Sequence, residues 1–313
     1  MSKKVKTVLG EIESNELGIT DAHNHLWISK QALEINTAPV LDQRDKINNE
    51  LVAYRQLGGG SQVDCQPGGA GRDGNHLRFL SKASGVHIIA CTGFHLKSYY
   101  PEGYKIWKMD IDQAVEYFLN EIQEGLEETR LTEPVFPGFI KIAVGEMLHE
   151  SPQDLMEAAS LASKESGLLI EMHTEKGANV EEFLAFFEKL GLENSRLVIC
   201  HIDKRPDLGL HIELAKAGYL LEYDTFFRPK YQPETNVWPL LSKMVKAGLS
   251  ESIAVATDIA DSSMWKSMGE GPGLEGFIEI IKNRMDVEFN DPVIIEQLMG
   301  GNISNRLAIE KGD

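Results

Sequence analysis

Short apolar runs recur along the 313-residue chain, and segments of ten or more residues with helical periodicity follow them. Runs of this length, bounded by polar and turn-forming residues, are typical of buried strands. Eight strands are predicted, at residues 18–23, 62–65, 86–92, 138–143, 167–173, 196–201, 218–224 and 252–258. Amphipathic helices are predicted at residues 111–129, 153–166, 179–191, 207–217 and 235–248.

The alternation of strands and helices favours a parallel α/β sheet built from βαβ units. Eight strands are the number that closes a (β/α)8 TIM barrel, with the active site at the C-terminal ends of the strands. A doubly wound open sheet is the competing fold, but no G-x-G-x-x-G motif follows the first strand. Because no linker interrupts the pattern, we predict a single domain over residues 1–313.

Two segments depart from this alternation. Residues 58–75 hold seven glycines but lack the Gly-Lys-Ser/Thr ending of a phosphate-binding P-loop, so we expect a turn-rich connection between strands. Residues 225–239 are rich in aromatic residues and prolines and follow the seventh strand. Loops at that end of a barrel shape the substrate pocket, so we expect this segment to overhang the active site.

The amino-acid composition argues against some classes of binding partner. The chain has 48 acidic and 31 basic residues, a net charge of −17 and a pI near 5.0. Such a surface repels phosphate backbones and anionic lipids, so we expect no binding to nucleic acid or membranes. The three cysteines are widely spaced, the N-terminus lacks the apolar run of a signal peptide, and no apolar stretch approaches 18 residues. These features predict a cytoplasmic protein.

Candidate chemistry lies at the strand ends. His23 and His25 are two residues apart, so on an extended chain both imidazoles point the same way and suit one metal ion. His173, His201 and Asp258 each stand at the C-terminal end of a predicted strand, where barrel enzymes keep their catalytic groups. Each of them taken singly is equally compatible with a hydrogen-bonded core residue.

One lysine lies inside an apolar strand. Lys141 is flanked by Phe-Ile and Ile-Ala, and burying an ammonium there is costly unless it is paired or chemically changed. Carboxylation by carbon dioxide would convert this cation into an anion able to bridge two metals. Together with the histidines and the aspartate, Lys141 therefore predicts a binuclear metal centre.

The ordered set of these polar residues resembles the binuclear amidohydrolase superfamily, and within it the phosphotriesterase-related group, which includes lactonases. The set comprises His23, His25, Lys141, His173, His201 and Asp258. The resemblance spans nearly the whole chain, with modest support from Thr92-Gly93, Gly145-Glu146 and the Gly300-Gly301-Asn302 turn before a C-terminal helix.

The resemblance implies a role for each residue. His23, His25 and Asp258 would hold a buried metal, His173 and His201 an exposed one, and carboxylated Lys141 and a hydroxide would bridge them. Two Zn2+ ions suit these nitrogen and oxygen ligands, and Mn2+, Co2+ or Fe2+ are alternatives. Lys141 and Asp258 would be catalytic, the latter passing a proton from the hydroxide to the leaving oxygen.

Residues of the substrate pocket are predicted from the loops. Lactonases of this group often carry a tyrosine just after strand three, whereas this chain has His95 there. We expect His95 to orient the substrate or to make a surface hydrogen bond. Lys97, Arg228 and Lys230 lie in the loops after strands three and seven and are candidate ligands of a substrate phosphate.

The predicted activity is the hydrolysis of a small-molecule lactone, with a phosphorylated sugar lactone as the preferred substrate and organophosphate hydrolysis as a side activity. A cyclic-amide hydrolase or another amidohydrolase reaction is the alternative, since the metal ligands do not separate them. A non-catalytic, metal-stabilised barrel is a third hypothesis. The oligomeric state stays open, and a homodimer is one candidate.

Overall fold

The computed structural model describes residues 3–30 and 39–310, so the predicted span 1–313 includes short segments outside the described residues. Eight strands form the central sheet, and each coincides with one of the predicted strands. They are β3 (Ile19–Asn24), β4 (Gly59–Asp64), β5 (His87–Gly93), β6 (Phe139–Ala143), β7 (Ile170–His173), β8 (Leu197–Cys200), β9 (Leu220–Tyr223) and β10 (Ile253–Val255). They follow β1 (Lys3–Thr7) and β2 (Gly10–Glu13), which form an antiparallel hairpin.

Each barrel strand pairs in parallel with the next one in the sequence, in the order from β3 to β10. The first and last strands approach each other, because the amide of Asp258 donates a hydrogen bond to the carbonyl of His23 at 2.9 Å. The Asp21 carboxylate reinforces this seam by accepting hydrogen bonds from Thr257, at 3.1 Å from the amide and 2.6 Å from the hydroxyl. The predicted (β/α)8 barrel is thereby confirmed.

Helices connect successive strands on the outside of the barrel. The five predicted helices are present as α3 (Ile111–Glu124), α4 (Gln153–Ser166), α5 (Val180–Lys189), α6 (Leu208–Lys216) and α7 (Val237–Lys246). Two earlier helices were not predicted, namely α1 (Arg44–Gln56) and α2 (Gly74–Ser84). After the last barrel strand come a π-helical segment at Phe277–Lys282, α8 (Asn283–Phe289), α9 (Pro292–Glu296), a second π-helical segment at Gln297–Gly301, and α10 (Asn302–Leu307).

The glycine-rich segment differs from the prediction in one respect. The strand predicted at residues 62–65 spans Gly59–Asp64, so the first glycines of the segment belong to the barrel, and a side chain at Gly60 would clash with the carbonyl oxygen of Leu17. Glycine is therefore required where β4 passes close to the loop that precedes β3. The last described residues form β11 (Ile309–Glu310), which pairs with β1.

Apolar side chains fill two regions. The interior of the barrel holds a cluster that includes Val63, Phe139, Leu169, Val198 and Leu220. A larger cluster lies between the sheet and the surrounding helices. All three cysteines are free and buried in the barrel interior. Among the described residues, the helices are all too short or too polar to serve as a membrane span.

Candidate metal centre

The six residues predicted to bind metal converge at one end of the barrel. His23 and His25 come from the end of β3, Lys141 from β6, and His173 from the last position of β7. His201 and Asp258 lie just beyond the ends of β8 and β10. Because parallel strands of a barrel end at the same rim, residues far apart in sequence meet there. Five of the six are buried, and only His173 is half-buried.

Two of these residues adopt a left-handed backbone conformation. The φ angles of His201 and Asp258 are 63° and 47°. For a non-glycine residue this backbone conformation costs about 1 kcal/mol or more in free energy, and such conformations concentrate at functional sites. The turn directs both side chains from the strand ends towards the barrel axis, where their ring and carboxylate atoms come within 4.0 Å of each other.

The protonation of His201 and His173 follows from their partners. The Nδ1 atom of His201 lies 2.5 Å from the Asp224 carboxylate, and Nε2 of His173 lies 3.1 Å from the Glu175 carboxylate. An ionised carboxylate can only accept, so these two nitrogens carry the ring hydrogens. The remaining nitrogens, Nε2 of His201 and Nδ1 of His173, then face each other at 2.9 Å with a lone pair each. A cation bound by both would satisfy this arrangement.

The rings of His25 and His23 are held in a similar way. Nδ1 of His25 donates to the side-chain oxygen of Gln66 at 2.7 Å, since the Gln66 amide nitrogen is engaged with the carbonyl of Ala70. Nε2 of His25 then carries a lone pair and lies 3.6 Å from Oδ1 of Asp258. For His23, Oε1 of buried Glu222 lies 2.8 Å from Nδ1. Outer contacts of this kind fix the orientation of metal-binding histidines.

Lys141 is fully buried and lies between these rings. Its Nζ atom is 3.2 Å from Nε2 of His23 and 3.9 Å from Sγ of Cys200. Among residues 3–30 and 39–310, no carboxylate oxygen lies within ion-pairing distance of this amine. Burial lowers the pKa of this amine, but the neighbouring thiols and the carboxylates of Glu171 and Glu222 oppose this and hold the pKa above its ordinary value. Conversion of the lysine to a carbamate stabilised by cations would remove this buried positive charge.

Burial sets the ionisation of the histidines. It lowers the pKa of His23 and His201 well below the ordinary value, and that of His25 to about 4. The pKa of His173 is lowered for the same reason. All four rings are therefore neutral at pH 7, which is the form that binds metal ions.

Asp258 is the negative group at the mouth of the site. Burial would raise its pKa, but Arg228, His201 and Lys204 oppose this and hold the pKa well below its usual range. Nη2 of Arg228 donates to Oδ2 of Asp258 at 2.6 Å and also to its carbonyl oxygen. The other oxygen, Oδ1, faces His25 and His23 at 3.6 and 3.9 Å. The carboxylate thus has one oxygen bound to a cation and one directed to the histidines.

The donor set therefore fits divalent metal ions. It offers three Nε2 atoms, one Nδ1 atom, a carboxylate oxygen and a lysine able to become a carbamate, which suits zinc and also manganese, cobalt or iron. Within this set, the ligand atoms of His23, His25 and Asp258 all lie within 4.8 Å of one another.

A pocket of 180 Å3 opens above the six residues and brings together two of the four predicted substrate contacts, His95 and Arg228. Nδ1 of His95 accepts a hydrogen bond from the amide of Leu96 at 2.7 Å, so the neutral ring carries its hydrogen on Nε2. Tyr99 packs edge-on against this ring and also lines the pocket. His95 therefore offers one hydrogen-bond donor for a substrate.

The other two predicted contacts lie at the surface. Lys97 and Lys230 are exposed, and their ammonium groups lie 5.9 Å and 5.0 Å from the ring centres of Trp107 and Tyr231. Neither lines the pocket as the described residues form it.

Several functional side chains were not identified from the sequence. They are the partners of the histidines, Gln66, Glu175, Glu222 and Asp224, and the half-buried Lys204 beside the mouth. Glu222 and Asp224 stand two residues apart at the end of the seventh barrel strand. Polar residues at such inward-facing strand positions are a sequence signal that could have identified both.

Comparison with known proteins is consistent with this geometry. A sequence model of the phosphotriesterase family matches residues 3–279. An N-acetyltaurine hydrolase from Salmo salar is 27% identical to this chain, and the alignment covers 90% of each protein. A phospho-furanose lactonase from Mycoplasmopsis agalactiae is also 27% identical, over 74% of this chain and 69% of that protein.

Among solved structures, a lactonase from Listeria monocytogenes superposes with a TM-score of 0.90. It is 24% identical in sequence, and the superposition covers 98% of this chain and 100% of that one. At this level of identity the likeness concerns the fold.

Proposed function

This chain belongs to the phosphotriesterase family of hydrolases, and we propose that it is a binuclear metal-dependent enzyme that hydrolyses a small lactone. His23, His25 and Asp258 would hold one divalent ion, His173 and His201 the second, and carboxylated Lys141 would bridge them. The phospho-furanose lactonase among its relatives supports a lactone substrate. A phosphorylated sugar lactone is our preferred candidate.

The observation that carries this proposal is the opposition of Nε2 of His201 and Nδ1 of His173 at 2.9 Å. Both nitrogens hold lone pairs, because the other nitrogen of each ring faces a carboxylate. Two lone pairs at this distance repel each other unless a cation lies between them. A purely structural packing of two histidines would leave one ring hydrogen shared between the rings.

When bound, divalent ions supply Lewis acidity, which lowers the pKa of a water molecule and polarises the bond to be cleaved. The protein supplies the remaining parts. Asp258 accepts a proton from the attacking water at its Oδ1 atom and returns it to the leaving oxygen, while Arg228 keeps Oδ2 occupied. His95 donates its Nε2 hydrogen to the substrate and orients it.

A pH-indicator assay on metal-loaded protein tests the proposal. The substrates are sugar lactones with and without a phosphate, a homoserine lactone, a cyclic amide and a phosphotriester. We expect the largest kcat/KM for a lactone, and a loss of at least 1,000-fold in Lys141→Met while the circular dichroism spectrum stays unchanged. Lys164→Met, on the outer helix α4, is the matched control and should keep full activity. Turnover of lactones by Lys141→Met at the wild-type rate would exclude the proposed centre.

Amide hydrolysis is the second candidate function. The N-acetyltaurine hydrolase relatives favour it, since the alignment with one of them covers 90% of both chains. The same metal ligands serve either reaction, because water attacks an acyl carbonyl carbon in both the lactone and the amide. N-acetyltaurine therefore belongs in the assay panel, where acetate release replaces the pH indicator. Turnover of this amide with silence on every lactone would replace the lactone assignment and leave the metal site in place.

A further inference from the structure

A group of buried polar side chains lies inside the barrel, beneath the candidate metal centre. It comprises His23, Glu171, Cys200 and Glu222, whose ligand atoms all lie within 4.8 Å of one another. They come from four different strands, β3, β7, β8 and β9, and none of them is more than 1% exposed. Glu171 precedes the candidate ligand His173 by two positions on the same strand, so the group lies deeper in the barrel than the centre.

The spacing of these ligand atoms suits a single metal ion. Bonds from a divalent ion to nitrogen, oxygen and sulfur measure about 2.0–2.3 Å, so the ligands of one ion lie within about 4.6 Å of one another. The atoms of this group are already close to that limit. A small inward shift of the side chains would therefore close the group around one ion.

The two carboxylates of the group lack partners for some of their oxygens. Oε2 of Glu171 accepts a hydrogen bond from the Cys65 thiol at 3.0 Å, but Oε1 has no hydrogen-bond partner among residues 3–30 and 39–310. Oε1 of Glu222 faces Nδ1 of His23 at 2.8 Å, while its Oε2 forms no hydrogen bond within the same residues. Removing a carboxylate from water is costly unless hydrogen bonds or an opposite charge replace its hydration. A bound cation would therefore stabilise both.

The ammonium group of Lys141 is the cation that acts on these carboxylates, and the proposed chemistry would remove it. Its Nζ atom lies 3.5 Å from Nδ1 of His23 and 3.9 Å from Sγ of Cys200. Its charge acts on Glu171 and Glu222, although it forms an ion pair with neither in the part of the chain that the structure describes. Carboxylation would turn this ammonium into an anion that both carboxylates repel. A second cation at this depth would offset the repulsion.

We propose that Glu171, Cys200 and Glu222 bind a third divalent cation beneath the binuclear centre, in a closed site separate from it. Two carboxylates, each able to bind through one or both oxygens, and one thiolate surround the ion without a position for substrate. Mixed sulfur and oxygen ligands suit zinc, cobalt or iron. His23 links the two sites, since its Nε2 atom faces the centre and its Nδ1 atom faces Glu222. This inference rests on the proposed carboxylation of Lys141.

Cys200 distinguishes this site from the binuclear centre, whose ligands are nitrogen and oxygen atoms. A metal ion binds cysteine as the thiolate and displaces the thiol proton. Cobalt(II) bound by a thiolate absorbs in the near ultraviolet through charge transfer from sulfur to the metal, whereas nitrogen and oxygen ligands give no such band. The spectrum of the cobalt-loaded protein therefore reports the third ion alone.

The test uses protein produced in cobalt-supplemented medium with bicarbonate, so that the buried site fills while the chain folds. We expect about three cobalt ions per chain and a thiolate band in the wild type. Cys200→Ser should lose the band and about one ion per chain. Cys91→Ser removes a buried thiol that is not a member of the group and is the matched control, expected to retain both.

The carboxylates are tested in the same way. Glu171→Gln keeps the size of the side chain but removes its charge, so it should lower the cobalt content by about one ion per chain and weaken the band. Glu165→Gln, at an exposed position near the end of α4, is the matched control. A thiolate band that persists in Cys200→Ser would overturn the proposal, as would equal cobalt content in the two glutamate variants.

Variants of Lys141 separate this inference from the hydrolytic proposal. Lys141→Met disrupts the binuclear centre but leaves no ammonium in the group, so the thiolate band should remain although turnover is lost. Lys141→Arg places a permanent cation there and should abolish the band. A band in Lys141→Met but not in the wild type would contradict the proposed carboxylation and support the third site. Absence of the band from both proteins would exclude the third site, even if lactones are hydrolysed.

Discussion

Nδ1 of His201 lies 2.5 Å from Oδ2 of Asp224, and this contact decides which nitrogen of the ring faces the candidate metal centre. The ring hydrogen is held on the side of the carboxylate, so Nε2 is free as a ligand atom. Asp224 stands just after β9, on the strand next to the one that His201 follows. The side chain that binds and the side chain that orients it thus come from neighbouring strands.

Replacing Asp224 by asparagine tests this relationship. We expect metal affinity at the site of His201 to fall about 10- to 100-fold, because the amide permits the opposite orientation of the ring hydrogen. Competition with a chelator, followed by metal analysis, measures the change. Asp207→Asn is the control, since asparagine also caps helix α6 and, among the described residues, no hydrogen bond or ion pair joins Asp207 to the four histidines of the centre. Equal metal affinity in the two variants would contradict the proposed role of Asp224.

His95 is expected to contribute through one hydrogen bond. His95→Phe keeps an aromatic ring next to Tyr99 but removes the Nε2 donor, so kcat/KM should fall about 2- to 10-fold, the value of one neutral hydrogen bond. His95→Gln, which restores a donor, should recover part of the loss. Steady-state kinetics on the best lactone measure both changes in kcat/KM. Unchanged kinetics in His95→Phe would show that the His95 ring contributes only packing contacts.

Asp21 should contribute strongly to stability, because it joins the first and last barrel strands. Burial raises its pKa to about 7, while hydrogen bonds from Thr257 lower it. Asp21→Ala leaves the Thr257 amide and hydroxyl without their acceptor, so the free energy of unfolding should fall by about 3 kcal/mol. Asp21→Asn keeps one acceptor and should lose about half as much. Urea denaturation measures both, and a loss below about 1 kcal/mol in Asp21→Ala would be inconsistent with this role.

His211 predicts a pH dependence away from the metal centre. It is buried, accepts a hydrogen bond from the Tyr223 hydroxyl at 2.6 Å and donates to the carbonyl of Arg205 at 2.9 Å. Burial lowers its pKa in the folded state, so the unfolded chain binds more protons below about pH 6.5. The stability contribution is therefore complete above that pH and declines as the pH falls towards the folded pKa.

The matching measurement is the free energy of unfolding between pH 7.5 and pH 5 for wild type and His211→Gln. Since glutamine does not titrate, the stability of the variant should decline less steeply than that of wild type. Parallel curves would show that His211 does not contribute to the acid sensitivity. The difference between the curves isolates this residue from the other histidines, which titrate in both proteins.

The eight barrel strands could be predicted because each is a short apolar run bounded by polar residues, and an inward-facing strand leaves that local signature in the chain. The six candidate ligands were found in the same way, as polar side chains where such strands end. Helices α1 and α2 were not predicted. The sequence of α1 has a weak apolar stripe and lacks a side-chain cap, so few local signals mark it.

By itself the sequence determined the barrel and the identity of the residues at its rim, because strand length, period and connectivity are local properties that fix where each strand ends. The tertiary structure decided how those residues are held. The partners of His25 and His201 are 41 and 23 positions away, and the contact between Lys204 and Tyr231 also spans two loops. Which ring nitrogen faces the centre, and which cations act on its carboxylates, depend on distances between strands and loops that form only when the barrel closes.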